Sequence, residues 1–181
     1  MIVVDLIGEV VKRVSANLTP QLQALDSRIT GVHYLHGHPI EILETLAQKD
    51  KSNKFRFDKY PLIALFEDIE ENNAGNYLNS SGGLNIIIAR ATRPEYKADV
   101  RREKNFKPFL YPLFENFMQE YKRMEGLSLL PAHISYRKID RLYWGRSGLY
   151  RNSANIGNDF IDAIEIQNLS FRTSEACQIK F

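Results

Sequence analysis

Three histidines close together, His33, His36 and His38, form the chain's densest group of metal-ligating side chains. Neutral imidazoles bind zinc and similar ions, and Glu41 and Glu44 follow at a distance that could add a carboxylate, so a metal-dependent hydrolase is one reading of this cluster. In a strand His36 and His38 would share a face, but Gly37-His38-Pro39 reads as a turn, and no cysteine lies nearby. The spacing therefore predicts that His38 caps the following helix and that the other two histidines lie at a surface or an interface.

A second chemical feature is cationic. Arg93, Lys97, Arg101, Arg102, Lys104 and Lys107 gather six positive charges around Glu95, Asp99 and Glu103. Near the start of a helix such charges oppose the macrodipole, so helix stabilisation does not account for them. A phosphate-binding face is one reading; a solvated face, or a contact between protomers that balances its own charge, is favoured because the acids dilute the field.

The stretch 136–151 interleaves aromatics with cations: Tyr136, Arg137, Lys138, Arg141, Tyr143, Trp144, Arg146, Tyr150 and Arg151. Single-stranded nucleic acid is held by such a mixture, with bases on rings and the backbone on cations. Protein interfaces are also enriched in Trp, Tyr and Arg, and strand alternation places Arg137, Ile139, Arg141 and Tyr143 on one side. A protein interface anchored on Trp144, Arg146 and Tyr150 is the favoured reading, with a nucleic-acid-binding accessory protein as the alternative.

Asp159, Asp162 and Glu165 invite comparison with nuclease metal sites. On a strand Asp162 and Glu165 fall on opposite faces, so solvent-facing acids and an edge-protecting charge are expected instead. Gly82-Gly83 lacks the Lys-Ser/Thr of a phosphate loop, and the chain has no Gly-x-Ser-x-Gly elbow, Cys-x-x-Cys pair or dinucleotide fingerprint. These readings assign no catalytic residue, metal or cofactor.

The elements that must position these groups are legible in the periodicity. Val3, Ile7, Val10, Val14 and Leu18 predict an amphipathic helix over 3–18, stopped by Thr19-Pro20. Residues 30–37 read as a short strand, and Pro39 as the first turn of a helix burying Ile40, Leu43, Leu46 and Ala47. Phe55 to Phe66 has strand composition, with Pro61 marking an edge or a strand start. The polar segment 67–83 reads as a loop. Leu84 to Thr92 is the clearest strand, its Ile86-Ile87-Ile88 run calling for burial on both faces. It is expected to pair antiparallel with 60–67.

Within 94–123, Phe106, Leu110, Leu113, Phe117 and Tyr121 define a helix that Pro112 should kink. A third core strand is expected over His133 to Trp144 and a fourth strand over Phe160 to Phe171, with a long loop between them. The fold class is α+β: a mostly antiparallel sheet of about four strands packed against two or three helices.

Composition sets the bounds. A chain of 181 residues with 44% hydrophobic and 25% charged residues reads as a single globular domain, 1–181. A net charge of +2 does not by itself call for a polyanionic partner. The single cysteine, Cys177, excludes an intramolecular disulfide and suits a reducing cytosol. The charges at Asp5, Glu9, Lys12 and Arg13 break up the apolar start, and no stretch approaches the ~20 apolar residues of a membrane span. A soluble, intracellular protein without a membrane partner is expected.

The order helix, strand, helix, Tyr60-Pro-Leu-Ile-Ala-Leu-Phe-Glu-Asp, Leu84-Asn-Ile-Ile-Ile-Ala-Arg-Ala-Thr, Tyr96-Lys-Ala-Asp-Val-Arg, Phe106-Lys-Pro-Phe-Leu and a closing Asp162-Ala-Ile-Glu-Ile-Gln-Asn-Leu resembles phage tail terminators and related tail-completion (neck) proteins. The resemblance spans residues 30 to 173 and rests on element order and apolar phrases. It implies a non-enzymatic virion assembly protein, encoded by a phage or prophage. Such a protomer joins copies of itself into a homo-oligomeric ring, often a hexamer, that ends the tail tube and meets head-connector proteins. The implied location is the host cytoplasm during assembly and then the virion. The histidine cluster and the long 145–158 loop depart from that pattern.

Overall fold

The fold was analysed in a computed structural model that describes residues 2–50, 59–73, 80–124, 134–144 and 160–172. The N-terminal helix α1 spans Ile2–Leu25. Its apolar residues at spacings of three and four, Val3, Ile7, Val10, Val14, Leu18 and Leu22, are all buried. The helix passes through Pro20 instead of ending there. Burial of Leu18 and Leu22 on either side of the proline holds the helical path. The Thr19 hydroxyl donates to the Ser15 carbonyl at 2.6 Å, and Ser15 Oγ accepts the Val32 N–H at 2.9 Å, tying the helix to the chain that follows.

Strand β1 (His33–Gly37) leads into helix α2 (Pro39–Asp50), which starts at the proline as expected. Gly37 has φ +133°, a conformation that side-chain-bearing residues rarely adopt, and it turns the chain from strand to helix. The helix buries Ile42, Leu43 and Leu46, and Ile40 is turned outward, 37% exposed.

Next come β2 (Leu62–Asn73) and β3 (Ser80–Ala91), which pair antiparallel. Both extend into the polar segment expected to be a loop, with Glu70 to Asn73 laddered against Ser80 to Gly83 beyond a bulge. Backbone hydrogen bonds carry the pairing where side-chain hydrophobicity gives no sign of it. The Ile86-Ile87-Ile88 run is buried on both faces.

The third helix opens as α3 (Ala98–Arg101), widens to π geometry over Arg102–Leu110 and resumes as α4 (Tyr111–Arg123). Pro108 lies in the wide stretch and Pro112 in the first turn of α4, where a missing N–H costs little. Phe106, Leu110, Leu113, Phe117 and Tyr121 are all buried, as their spacing predicts. Strands β4 (Arg137–Trp144) and β5 (Ile161–Arg172) complete the described fold. His133 and the 145–158 loop lie outside the described residues.

Among the described residues the architecture is α+β, with one five-stranded sheet ordered β1-β2-β3-β5-β4. The sheet is mixed, not wholly antiparallel: β1 pairs parallel to β2, a connection that needs a crossover, and α2 supplies it. Strand β4, expected in the core, is an edge strand among the described residues, and the interior position beside β3 belongs to β5. One sheet face carries the larger core, built with α1 and the third helix around Ile63, Leu65, Ile86, Ile88, Ile164 and Ile166. The opposite face joins Leu62, Ala64, Phe66, Ile87 and Ala163 to Ile42, Leu43 and Leu46 of α2.

Candidate functional site

The histidines are dispersed by the strand that carries them. His33 stands opposite Leu62 and His36 opposite Leu65, an odd spacing that puts them on different faces of the sheet. His36 Nδ1 meets Glu67 Oε1, and the His36 ring lies 5.6 Å from that of Tyr34. His38 serves the helix: its Nδ1 accepts the Ile40 N–H at 3.3 Å, and its own N–H donates to Glu41 Oε2 at 3.2 Å. This reciprocal arrangement satisfies donors that the first turn of α2 would otherwise leave without partners. Among the described residues no three His, Cys, Asp or Glu side chains are grouped to hold a metal ion.

The acids on β5 do lie on opposite faces, but they do not face solvent. Asp162 is 0% exposed and Glu165 is 3% exposed. Glu165 accepts from Arg141 Nε at 2.7 Å and from Gln167 Nε2 at 2.9 Å. Asp162 is enclosed by the third helix: Arg101 Nη1 donates to its Oδ1 at 2.6 Å and Asn105 Nδ2 to its Oδ2 at 2.7 Å. Strand alternation separated the two acids correctly, but it carries no information on whether a face is covered. Asp159 lies outside the described residues.

Arg101 belonged to the cationic run, yet its side chain is wholly buried. Its Nε donates to the Tyr96 carbonyl at 2.7 Å, its Nη2 to the Arg93 carbonyl at 2.8 Å, and its guanidinium lies 3.3 Å from the Tyr143 ring centre. Tyr143 reaches this place through a bulge between Arg141 and Trp144, helped by its own φ of +53°. The bulge moves Tyr143 off the face of Arg137, Ile139 and Arg141, where simple alternation had put it. Its hydroxyl donates to the Pro94 carbonyl at 2.8 Å. Arg101 and Tyr143 thus fix the loop 93–96 by its carbonyl groups.

That loop forms one wall of a surface cleft of about 490 Å³ between the end of α1, the end of β3 and the third helix. At its base Asp26 receives two side-chain hydrogen bonds from Arg28, Nε at 2.9 Å and Nη2 at 3.0 Å, a third from the Arg28 backbone N–H at 3.2 Å, and one from Arg90 Nη2 at 3.2 Å. The Arg28 side-chain hydrogen bond is the main reason the Asp26 carboxyl is held down to about 2; burial opposes it, and the backbone N–H and charge of Arg28 and the charge of Arg90 add to it. Arg90 is largely buried, with its guanidinium 3.3 Å from the centre of the Phe109 ring. Burial lowers its pKa, although Asp26 acts in the other direction. Arg93 and Lys104 flank Tyr96, with charged centres 5.8 and 5.0 Å from its ring centre. The rest of the cationic run is spread out, and Lys107 is paired with Glu103.

Of the expected interface anchors, Trp144 is 6% exposed and stacks on Phe66 with ring centres 6.3 Å apart, inside the second core. Arg146 and Tyr150 lie outside the described residues. On β4, Lys138 pairs with Asp140 and Arg141 with Glu165, and the described cations of that strand lie at an edge of the sheet. No helix among the described residues is long and apolar enough to cross a membrane.

No protein-family model matches this chain, and no curated protein matches it.

Proposed function

We propose that this chain is a non-enzymatic assembly subunit that closes into a homo-oligomeric ring. The specific ring is one of the phage tail or neck, ending the tail tube and joining it to head-connector proteins. One observation carries the ring reading: edge strand β4 and the outward side of helix α2 differ in chemistry. A closed ring needs two unlike, complementary surfaces on each protomer, because its contacts run head to tail.

Strand β4 offers Arg137 with two outward apolar neighbours, Tyr136 and Leu142, 41% and 39% exposed. Helix α2, which follows β1 and covers one sheet face, offers Glu41, Glu44 and the exposed Ile40 on its outward side. Strands β1 and β4 themselves lie four strand spacings apart, roughly 19 Å. Among the described residues β1 and β4 each pair on one side only. Cationic and acidic rims with apolar centres are the composition of a charge-matched contact between copies. The tail and neck assignment is supported by the element order and apolar phrases of the resemblance. A nucleic-acid role for β4 gains less support, since Lys138 and Arg141 are already paired with carboxylates.

Light scattering and negative-stain microscopy of the purified chain test this reading. Rings are expected from the wild type, loss of rings from Arg137→Glu, and recovery when Arg137→Glu is combined with Glu44→Lys. A two-fold dimer, or an oligomer indifferent to both changes, would overturn it.

A further inference from the structure

The cleft beneath the loop 93–96 plays no part in the contacts proposed for the ring, yet it is built. Four cations, Arg28, Arg90, Arg93 and Lys104, converge on one space, and Asp26 is the only carboxylate among the described residues that line it. Arg28 gives Nε and Nη2 to Asp26, and Arg90 gives one Nη2. A guanidinium has five N–H donors, so most of those on Arg90 and the outer ones on Arg28 have no acceptor among the described residues. Lys104 makes no ion pair among the described residues. The link from Arg93 to Glu95 is long at 3.9 Å and exposed on both sides, so it holds Arg93 weakly.

Preorganisation separates this cleft from an ordinary solvated basic face. Asp26 and Phe109 fix the largely buried Arg90, the two side-chain bonds to Asp26 orient the otherwise exposed Arg28, and buried Arg101 holds the carbonyls of Arg93 and Tyr96. Fixed guanidinium forks match the oxygens of phosphate and lose little freedom on binding it. The half-buried ring of Tyr96, between two cations, gives a flat surface suited to a base or sugar. The volume falls within the ~300–1,000 Å³ of small-molecule sites.

We propose that this cleft is a phosphate-binding site, taking a phosphate group that is free or carried on a nucleotide. Arg28, Arg90 and Lys104 donate to its oxygens, Arg93 adds charge at the rim, and Tyr96 lies against whatever the phosphate carries.

The full chain is titrated by calorimetry at fixed ionic strength with three probes: inorganic phosphate, adenosine monophosphate and a short oligothymidylate. Two rim variants, Lys104→Glu and Arg93→Ala, keep the buried network intact, and Lys12→Glu on exposed α1 makes the same charge change away from the cleft. Saturable binding of phosphate or the mononucleotide, weakened about tenfold or more by Lys104→Glu and retained in Lys12→Glu, is the expected result. Equal affinity for phosphate and mononucleotide identifies the free anion as ligand. Tighter mononucleotide binding that Tyr96→Ala removes identifies a nucleotide. Absence of saturable binding overturns the inference. So does a steeply salt-dependent affinity for the oligonucleotide alone, weakened equally by Lys12→Glu, which reports only general attraction. Oligomer size measured on the same samples keeps this outcome separate from that of the ring.

Discussion

Asp162 and Arg101 meet at 2.6 Å with neither side chain exposed to solvent, joining the interior strand β5 to the start of the third helix. Asn105, Thr92, Tyr143 and the carbonyls of Arg93 and Tyr96 complete the surroundings of the pair. A buried ion pair owes its net stability to such completeness, because desolvation of both charges offsets much of their attraction. Removing one partner leaves the other charged and buried. Arg101→Met is therefore expected to lower stability by about 3–5 kcal/mol, read from urea denaturation, and Asp162→Leu by a comparable amount. The double variant should cost clearly less than the two losses added together. Additive losses would mean that the two side chains act independently.

Pro20 sits inside α1 on its exposed side, where it has no N–H to give to the Ala16 carbonyl. The helix survives because Leu18 and Leu22 are buried on the other side. Pro20→Ala returns the missing donor without touching the core, so it should stabilise the protein by about 1 kcal/mol or more. A higher urea midpoint with an unchanged slope is the expected observation. A lower midpoint would show that the ring of Pro20 fixes the end of the helix in a way that its hydrogen-bond deficit conceals.

Sequence patterns made the fold legible where one face of an element meets the core. The stripe of α1, the Phe106 to Tyr121 series and the Ile86 to Ile88 run all follow from spacing alone, and all are buried. The parallel pairing of β1 with β2 was not legible, since alternation within a strand does not say which neighbour it takes. The outer halves of β2 and β3 were hidden by polar side chains that say nothing of backbone pairing. The cleft was partly legible. Arg93 and Lys104 stood out as a charged run, but Asp26 lies 64 residues from Arg90 and meets it only when α1 ends beside β3. Arg101 looked like its exposed neighbours because no local pattern marks one arginine in a run for burial.

The depressed pKa of Asp26 gives the protein a specific acid sensitivity. In the folded state the carboxyl is held down to about 2 from an ordinary 3.8, chiefly by the hydrogen bond from Arg28. The unfolded chain binds this proton more tightly, so the contribution of Asp26 to stability is complete above 3.8 and is lost as pH falls toward 2. Asp26→Asn should lower stability at neutral pH and make the urea midpoint less sensitive to pH across that window. An unchanged acid slope in the variant would show that Arg28 and Arg90 do not hold the carboxylate in solution.

Trp144 provides the sharpest separation between core and contact surface. Its ring stacks on Phe66 within the second core, beside Ile161 and Ala163, and little of it remains exposed. Removing a buried ring of this size leaves a cavity as well as losing the transfer energy, so Trp144→Ala should cost about 3–5 kcal/mol, with Trp144→Phe costing less. Both variants, measured below their melting temperatures, should keep the oligomer size of the wild type. Loss of the oligomer with an unchanged urea midpoint would instead place the ring of Trp144 at a contact between subunits, and the stack on Phe66 would then be incidental to its role.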